Sequence, residues 1–311
     1  MSTTGLTERT LLGRGGFATV HRVCFQGQHF APKTIGPRVG RDATVVQGES
    51  HYELEMLKLL PVYHHHITRV EGTYRTGEDY HFLLSPVADE GSLRDFLDKF
   101  KDNAKRPSDN DVAILSKCFG CLTLTLRDIH ESIMRHKDVK PENILIHHGR
   151  PIFSDFGNAH FGGPDPGFGR TTTTGDPGAY TPAYSAPEIF LKSGSRRTRK
   201  SDVFSLGAVL YEILLILEPE IFTCLKQPYG YYSDKIEEIT DIIGGVRRSQ
   251  GQSPGGNTAT KLPMAAYVTV AAMMKRDQGA WVSSNDAVLM LRREESLFCD
   301  VCWKKLEPRD T

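Results

Sequence analysis

Charge of one sign is the first thing this chain lacks: 38 Lys and Arg balance 38 Asp and Glu, for a formal net charge of zero at pH 7. Such a balance creates no global field to draw in nucleic acid or an anionic membrane, and neither partner is expected. Cysteine is scarce, six in 311 residues, which excludes a disulfide framework. Long apolar runs are missing too. The longest, Leu206 to Leu217, is interrupted by Glu212 and too short to span a bilayer, so it reads as a buried core helix. No basic-apolar leader opens the sequence. These absences set the expectation of a soluble, intracellular chain, cytoplasmic or nuclear; a monomer is one option, since the residues do not fix the oligomeric state. What is present, 39% hydrophobic residues, suffices for one large core or two lobes.

The most informative stretch is His136-Lys137-Asp138-Val139-Lys140-Pro141-Glu142-Asn143, followed by Asp155-Phe156-Gly157. Asp138 is placed to accept a proton from an attacking hydroxyl, and Lys140 to hold a phosphate oxygen. Asn143 and Asp155 offer the oxygen ligands that magnesium prefers. The spacing, five residues from Asp138 to Asn143 and twelve more to Asp155, makes the set specific where each piece alone is weak. The segment resembles the catalytic loop and metal-binding motif of the eukaryotic protein kinases, and Lys140-Pro141-Glu142-Asn143 resembles their serine/threonine branch. The resemblance runs over about residues 9 to 295.

What that resemblance implies is an α+β, bilobal protein-kinase-like fold. A small β-rich lobe with one main helix would occupy residues 1–87, and a larger, mostly α-helical lobe residues 88–311. Leu12, Gly13, Gly15, Gly16, Phe17 and Val20 resemble the glycine-rich loop over the ATP phosphates, with Ala18 replacing the third glycine. Glycine lets backbone N–H groups approach phosphate oxygens. Ala31 would lie against the adenine and Lys33 would donate to the phosphates. Pro32, between them, removes a ladder donor and predicts an irregular strand. Glu53, twenty residues after Lys33, is the expected ion-pair partner, with Glu49 second and Glu55 third. It lies on a predicted helix from Glu49 to Leu60, where Tyr52, Met56, Leu59 and Leu60 recur at helical steps. Tyr80 to Val87 reads as a buried strand leading to the hinge. There Leu84 would guard the pocket behind adenine, with the Ser85 carbonyl and Val87 N–H as its hydrogen-bond groups.

Further along, Leu93 to Phe100 and Asn110 to Glu131 read as helices, and Gly244 to Lys261 as a loose, Gly/Ser/Gln-rich insert. Between Asp155 and Glu188 the chain resembles an activation segment whose Thr171–Thr174 hydroxyls are candidate phosphorylation sites. Lys137, where the family has an arginine, would grip a phosphate less firmly. Thr181, seven residues before Glu188 of Ala-Pro-Glu, implies a protein substrate with serine or threonine acceptors and contact with Asp138 and Lys140. Asp202 would cap the backbone of the catalytic loop. Trp281 stands where the family has an arginine to pair with Glu188. The cofactors implied are ATP and Mg2+.

Other features have bland readings. His64-His65-His66 are three adjacent residues that rarely converge on one ion, and one of them matches a family position. Cys118 and Cys121, with Cys299 and Cys302, form two Cys-x-x-Cys pairs open to a four-thiolate zinc reading. The preferred reading places the first pair on a buried helix face as small hydrophobes, with the second the more reactive. The run Arg196 to Lys200 reads as a solvated loop. The departures at Ala18, Pro32, Lys137 and Trp281 also suit a pseudokinase, a binding module without the chemistry. Retention of Lys33, Glu53, Asp138, Asn143 and Asp155 favours the enzyme.

Overall fold

Alternating and β-branched residues open the chain as a meander. In the computed structural model, which describes residues 7–15, 18–37, 43–60, 64–101, 105–162, 181–190, 198–222, 231–252 and 261–306, these become β1 (Thr7–Arg14), β2 (Ala18–Phe25) and β3 (Gln28–Ile35). With β4 (Arg69–Thr76) and β5 (Asp79–Ser85) they form an antiparallel sheet in the order β1-β2-β3-β5-β4. Gly16, Phe17 and Thr171–Thr174 lie outside the described residues, as do Arg196 and Arg197 of the Arg196–Lys200 run; the rest of that run is not a loop, since Thr198 caps a helix that Arg199 and Lys200 open. Pro32 sits in the central strand. Its register with Leu83 of β5 is intact, while the ladder to β2 has no pairs between Val20–Lys33 and Val23–Phe30. The expected irregularity is therefore a gap facing β2, where proline has no N–H to give, and the register survives it.

One helix crosses this sheet. α1 (Ala43–Leu59) begins earlier than the predicted Glu49 and buries Val46, Ser50, Glu53 and Met56, with Leu60 just beyond its end. Steps of three and four put these residues on one stripe. Leu59, expected on that stripe, is exposed on the far side. The sheet's own core is small: Ile35, Val46 and Phe82, with Ala18, Leu54, Tyr80 and Leu84 packed around them.

The rest is helical. α2 (Leu93–Asp98) and α3 (Asp109–Glu131) start at Ser92 and Ser108, each in a reciprocal capping box with the aspartate three residues on. Short strands follow: β6 (Met134–Arg135), β7 (Ile144–His147), β8 (Arg150–Phe153) and β9 (His160–Phe161), paired β6-β9 and β7-β8. α4 (Arg199–Leu217), the apolar run, is buried nearly all round. α5 (Ile236–Gln252) corrects the loose-insert reading over Gly244 to Gln252, since the chain stays helical through Gly244 and Gly245, while residues 253–260 lie outside the described residues. An apolar stripe of Ile236, Ile239 and Ile243, buried against the body, outweighs the low helix propensity of glycine. α6 (Met264–Met273), α7 (Ser284–Leu291) and α8 (Asp300–Leu306) complete it. Gly207 of α4 allows close contact with α6, because a Cβ there would lie 2.8 Å from Met273 Cβ and Met274 Cγ. Among the described residues, no helix is long and apolar enough to cross a membrane.

Candidate active site

Two groups of polar side chains face each other where the sheet meets the helical body. The first is built on β3, α1 and the segment after β8. Lys33 Nζ donates to Glu53 Oε1 and to Asp155 Oδ1, both at 2.7 Å. Glu53 reaches it because it lies on the buried stripe of α1. Glu49 is only half-buried, and Glu55 pairs instead with Lys58 on the surface. Asp155 is held with φ 59° and ψ 72°, a left-handed conformation rarely adopted without glycine and found where a side chain must be aimed. Gly157 keeps the approach open, since a Cβ there would stand 3.3 Å from Glu53 Oε2.

Burial alone would lower the pKa of Lys33, but the charges of Glu53 and Asp155 reverse that and raise it well above the ordinary lysine value. Its ammonium therefore stays charged. The same cation holds Asp155 below the usual carboxylate range. Burial pushes Glu53 up, with Lys33 acting against it. Asp155 is 45% exposed while Lys33 and Glu53 are buried, so the aspartate is the member of the trio open to an incoming group.

The second group lies on the segment His136–Asn143 and on Thr181. Lys140 Nζ donates to Asp138 Oδ2 at 2.8 Å and to Thr181 Oγ1 at 2.9 Å, and Thr181 Oγ1 donates to Asp138 Oδ1 at 3.3 Å. Asn143 Nδ2 donates to the carbonyl and to Oδ2 of Asp138, each at 2.9 Å. Asp138 is thus fixed by three neighbours, and its orientation is set before any ligand arrives.

The backbone beneath is held from behind. Asp202 of α4 accepts the N–H groups of His136 at 2.8 Å and Lys137 at 2.9 Å, and it meets His130 Nε2 at 3.1 Å. That carboxylate supports Lys137 at φ 66°. His136 Nε2 lies 3.1 Å from the Ser154 carbonyl, which can only accept, so the proton sits on Nε2 and ties this segment to the residue before Asp155.

The nucleotide-side residues fall along the sheet. Val20 pairs with Lys33 and Ala31 with Leu84 across adjacent strands. Gly13 lies one residue before the end of β1 beside Leu12, which is exposed, and the Gly15 N–H donates to the Ala18 carbonyl at 2.9 Å. β5 stops at Ser85, two residues short of the predicted end, leaving Val87 in the irregular link before α2.

Some contacts had no sequence signal. Arg94 of α2 donates to Glu142 Oε1 at 3.1 Å and Glu212 Oε2 at 2.8 Å, and Tyr184 Oη donates to Glu212 Oε1 at 2.7 Å, with Tyr232 on the same oxygen. Glu212 breaks the apolar run because it anchors Tyr184 and the Thr181 segment onto α4. Glu188 accepts from Ser201 Oγ at 2.6 Å, while Trp281 packs on Phe204 and donates its indole N–H to the Lys275 carbonyl. A hydroxyl thus reaches the carboxylate for which the family supplies an arginine.

This arrangement agrees with what the sequence matches. The protein kinase domain family covers residues 6–261, and the chain belongs to it. A receptor-like serine/threonine-protein kinase of Arabidopsis thaliana is 32% identical over 218 residues, covering 69% of this chain and 56% of the relative. A probable serine/threonine-protein kinase of the same plant is 31% identical over 208 residues, 65% of this chain and 50% of the relative. A nodulation receptor kinase of Pisum sativum is 32% identical over 257 residues, 76% of this chain and 26% of the relative. The chain spans about half the length, or less, of these relatives.

Proposed function

We propose that this chain is an ATP-dependent protein serine/threonine kinase, with its nucleotide between the sheet (residues 1–87) and the helical body (residues 88–311). The observation that carries this reading is the convergence of two groups: Lys33, Glu53 and Asp155 on one side, and Asp138, Lys140, Asn143 and Thr181 on the other. Lys33, charged and aimed by Glu53, holds nucleotide phosphates. Gly13, Gly15 and Val20 cover them, and Ala31, Leu84, Ser85 and Val87 take the adenine. Asp138 orients the substrate hydroxyl and accepts its proton, and Lys140 offsets charge on the transferring group. Catalysis of this kind is mainly positioning plus electrostatics.

The donor set fits Mg2+. Asn143 commits its amide N–H groups to Asp138, which leaves the amide oxygen for a cation, and Asp155 adds an exposed carboxylate. Bound there by Asn143 and Asp155, the ion would supply positive charge to offset the charge that develops on the transferred group. The Thr181–Glu188 segment, seated beside Asp138, supports a protein substrate with serine or threonine acceptors.

The test is γ-phosphate transfer from Mg·ATP to mixed protein substrates, beside Asp138→Asn, with phospho-amino-acid analysis. Phosphoserine or phosphothreonine that falls by about 10²–10⁴-fold in the mutant is expected. A folded wild-type chain that transfers nothing would move the reading to a pseudokinase.

A further inference from the structure

Apart from the phosphate-transfer groups, the fold assembles four side chains that the motifs do not use. Cys121 lies on α3, Cys299 and Cys302 flank the start of α8, and His66 lies in the turn between α1 and β4. One ligand atom from each, an imidazole nitrogen and three Sγ atoms, lies within 4.8 Å of all the others. His66, Cys121 and Cys302 are buried and Cys299 is half-buried. A tetrahedral zinc with sulfur at about 2.3 Å needs sulfur–sulfur edges of about 3.8 Å, so the cluster is already close to the required size.

The hydrogen bonds orient the donors toward a common centre. His66 Nδ1 is 2.6 Å from the Pro151 carbonyl, which can only accept, so Nδ1 carries the proton and Nε2 presents its lone pair. Nε2 faces Cys299 Sγ at 3.3 Å. A carbonyl that fixes the distal nitrogen of a histidine is the usual support for a metal-bound imidazole. The Cys299 backbone N–H donates to Cys121 Sγ at 3.2 Å, a bond that stabilises a thiolate. Gly120 lets these segments meet, because a Cβ there would collide with the Leu297 carbonyl and the Phe298 ring. Cys118, one helical turn away, turns its thiol to the Ile114 carbonyl instead. The neighbouring histidines are committed elsewhere, His64 to Asp128 at 3.0 Å and His65 beside Arg150.

We propose that His66, Cys121, Cys299 and Cys302 form a structural zinc site. Three soft thiolates and one imidazole suit zinc over hard cations, and four protein ligands leave no open position for catalysis. Each thiol releases its proton on binding, and no electron moves. The ion would tie the turn after α1 to α3 and α8, joining segments far apart in sequence. It would also brace β8, because the Phe153 N–H donates to the His66 carbonyl at 2.9 Å and Asp155 follows two residues later. A disulfide, the competing use of such thiols, would link two sulfurs and leave the third cysteine and the histidine without a role.

The test uses the full chain, purified with reductant and dialysed against a weak chelator, with zinc measured by elemental mass spectrometry. About one zinc per chain is expected, and removal with a strong chelator should lower the unfolding temperature. Chains refolded with Co2+ should show the thiolate charge-transfer and ligand-field bands of a tetrahedral site. Cys302→Ser and His66→Phe should lose at least about tenfold in metal affinity, while Cys118→Ser keeps it. If the ligand variants fail to fold, the cobalt spectrum of the wild-type chain decides. A metal-free wild-type chain with no cobalt bands, or a cystine mapped among these three cysteines, overturns the proposal.

Discussion

The sheet and the helical body are stabilised in different ways, though the candidate active site draws on both. Around the sheet, the separate buried cluster among the described residues is three side chains, Ile35, Val46 and Phe82. In the helical body one continuous core runs from Leu93 and Phe119 through Phe204 and Tyr267 to Leu297. α1 is divided between them. Val46 packs with the sheet, while Met56 and Leu60 belong to the large core, and Tyr52 Oη donates to the Ala159 carbonyl at 2.7 Å. Glu53 lies between these two attachments. The lesson is that the segment carrying Asp138 is seated on the continuous core through Val139 and Ile144, whereas the position of Lys33 depends on a few polar bonds that cross from one region to the other.

That contrast predicts unequal responses to mutation. Lys33→Met should lower phosphoryl transfer by at least about 10²-fold while leaving the chain folded, read by transfer assay beside circular dichroism. Unchanged transfer would remove Lys33 from its assigned role. The next largest effect belongs to the body: Phe204→Ala, in a fully buried site against Trp281, should destabilise by about 3–5 kcal/mol, against about 0.5–1.5 kcal/mol for Ile35→Val in the sheet. Urea unfolding of both variants measures the difference, and equal losses would break the comparison.

A smaller effect tests the brace behind the His136–Asn143 segment by pH. Burial acts to raise the pKa of Asp202, but the His130 hydrogen bond, the neighbouring histidine charges and the Lys137 N–H outweigh it, and the net shift is downward. A carboxylate lowered on folding stabilises the native state above its ordinary value of 3.8, and that contribution is lost as the pH falls below it. Asp202→Asn should therefore cost about 1–3 kcal/mol near pH 7 and less at pH 3, in denaturant titrations run across that range. A constant loss at every pH would show that charge is not what Asp202 supplies. Smallest, Ser108→Ala should cost about 1 kcal/mol by opening the α3 capping box, again by urea midpoint.

Much of this was legible in the residues. The Asp138–Asn143–Asp155 spacing, the apolar periodicity of α3 and the apolar run of α4 are local patterns, and local patterns can be read along a chain. α5 was misread because composition is also local: glycine and glutamine suggested a loose segment, and burial of its isoleucine stripe overrode that propensity. Leu59 was misplaced for the same reason, since a helical stripe has no absolute phase until it finds a partner.

The sequence by itself determined the family, the sheet-then-helices order and the candidate site residues, because those rest on residue identity and spacing. Tertiary structure alone decided what stands beside what. It set Arg94 between Glu142 and Glu212, gave Glu188 a serine where the family supplies an arginine, and brought His66 to Cys299 across 233 residues of sequence. None of these pairs has a periodicity, because side chains brought together by folding carry no mark of their distance along the chain.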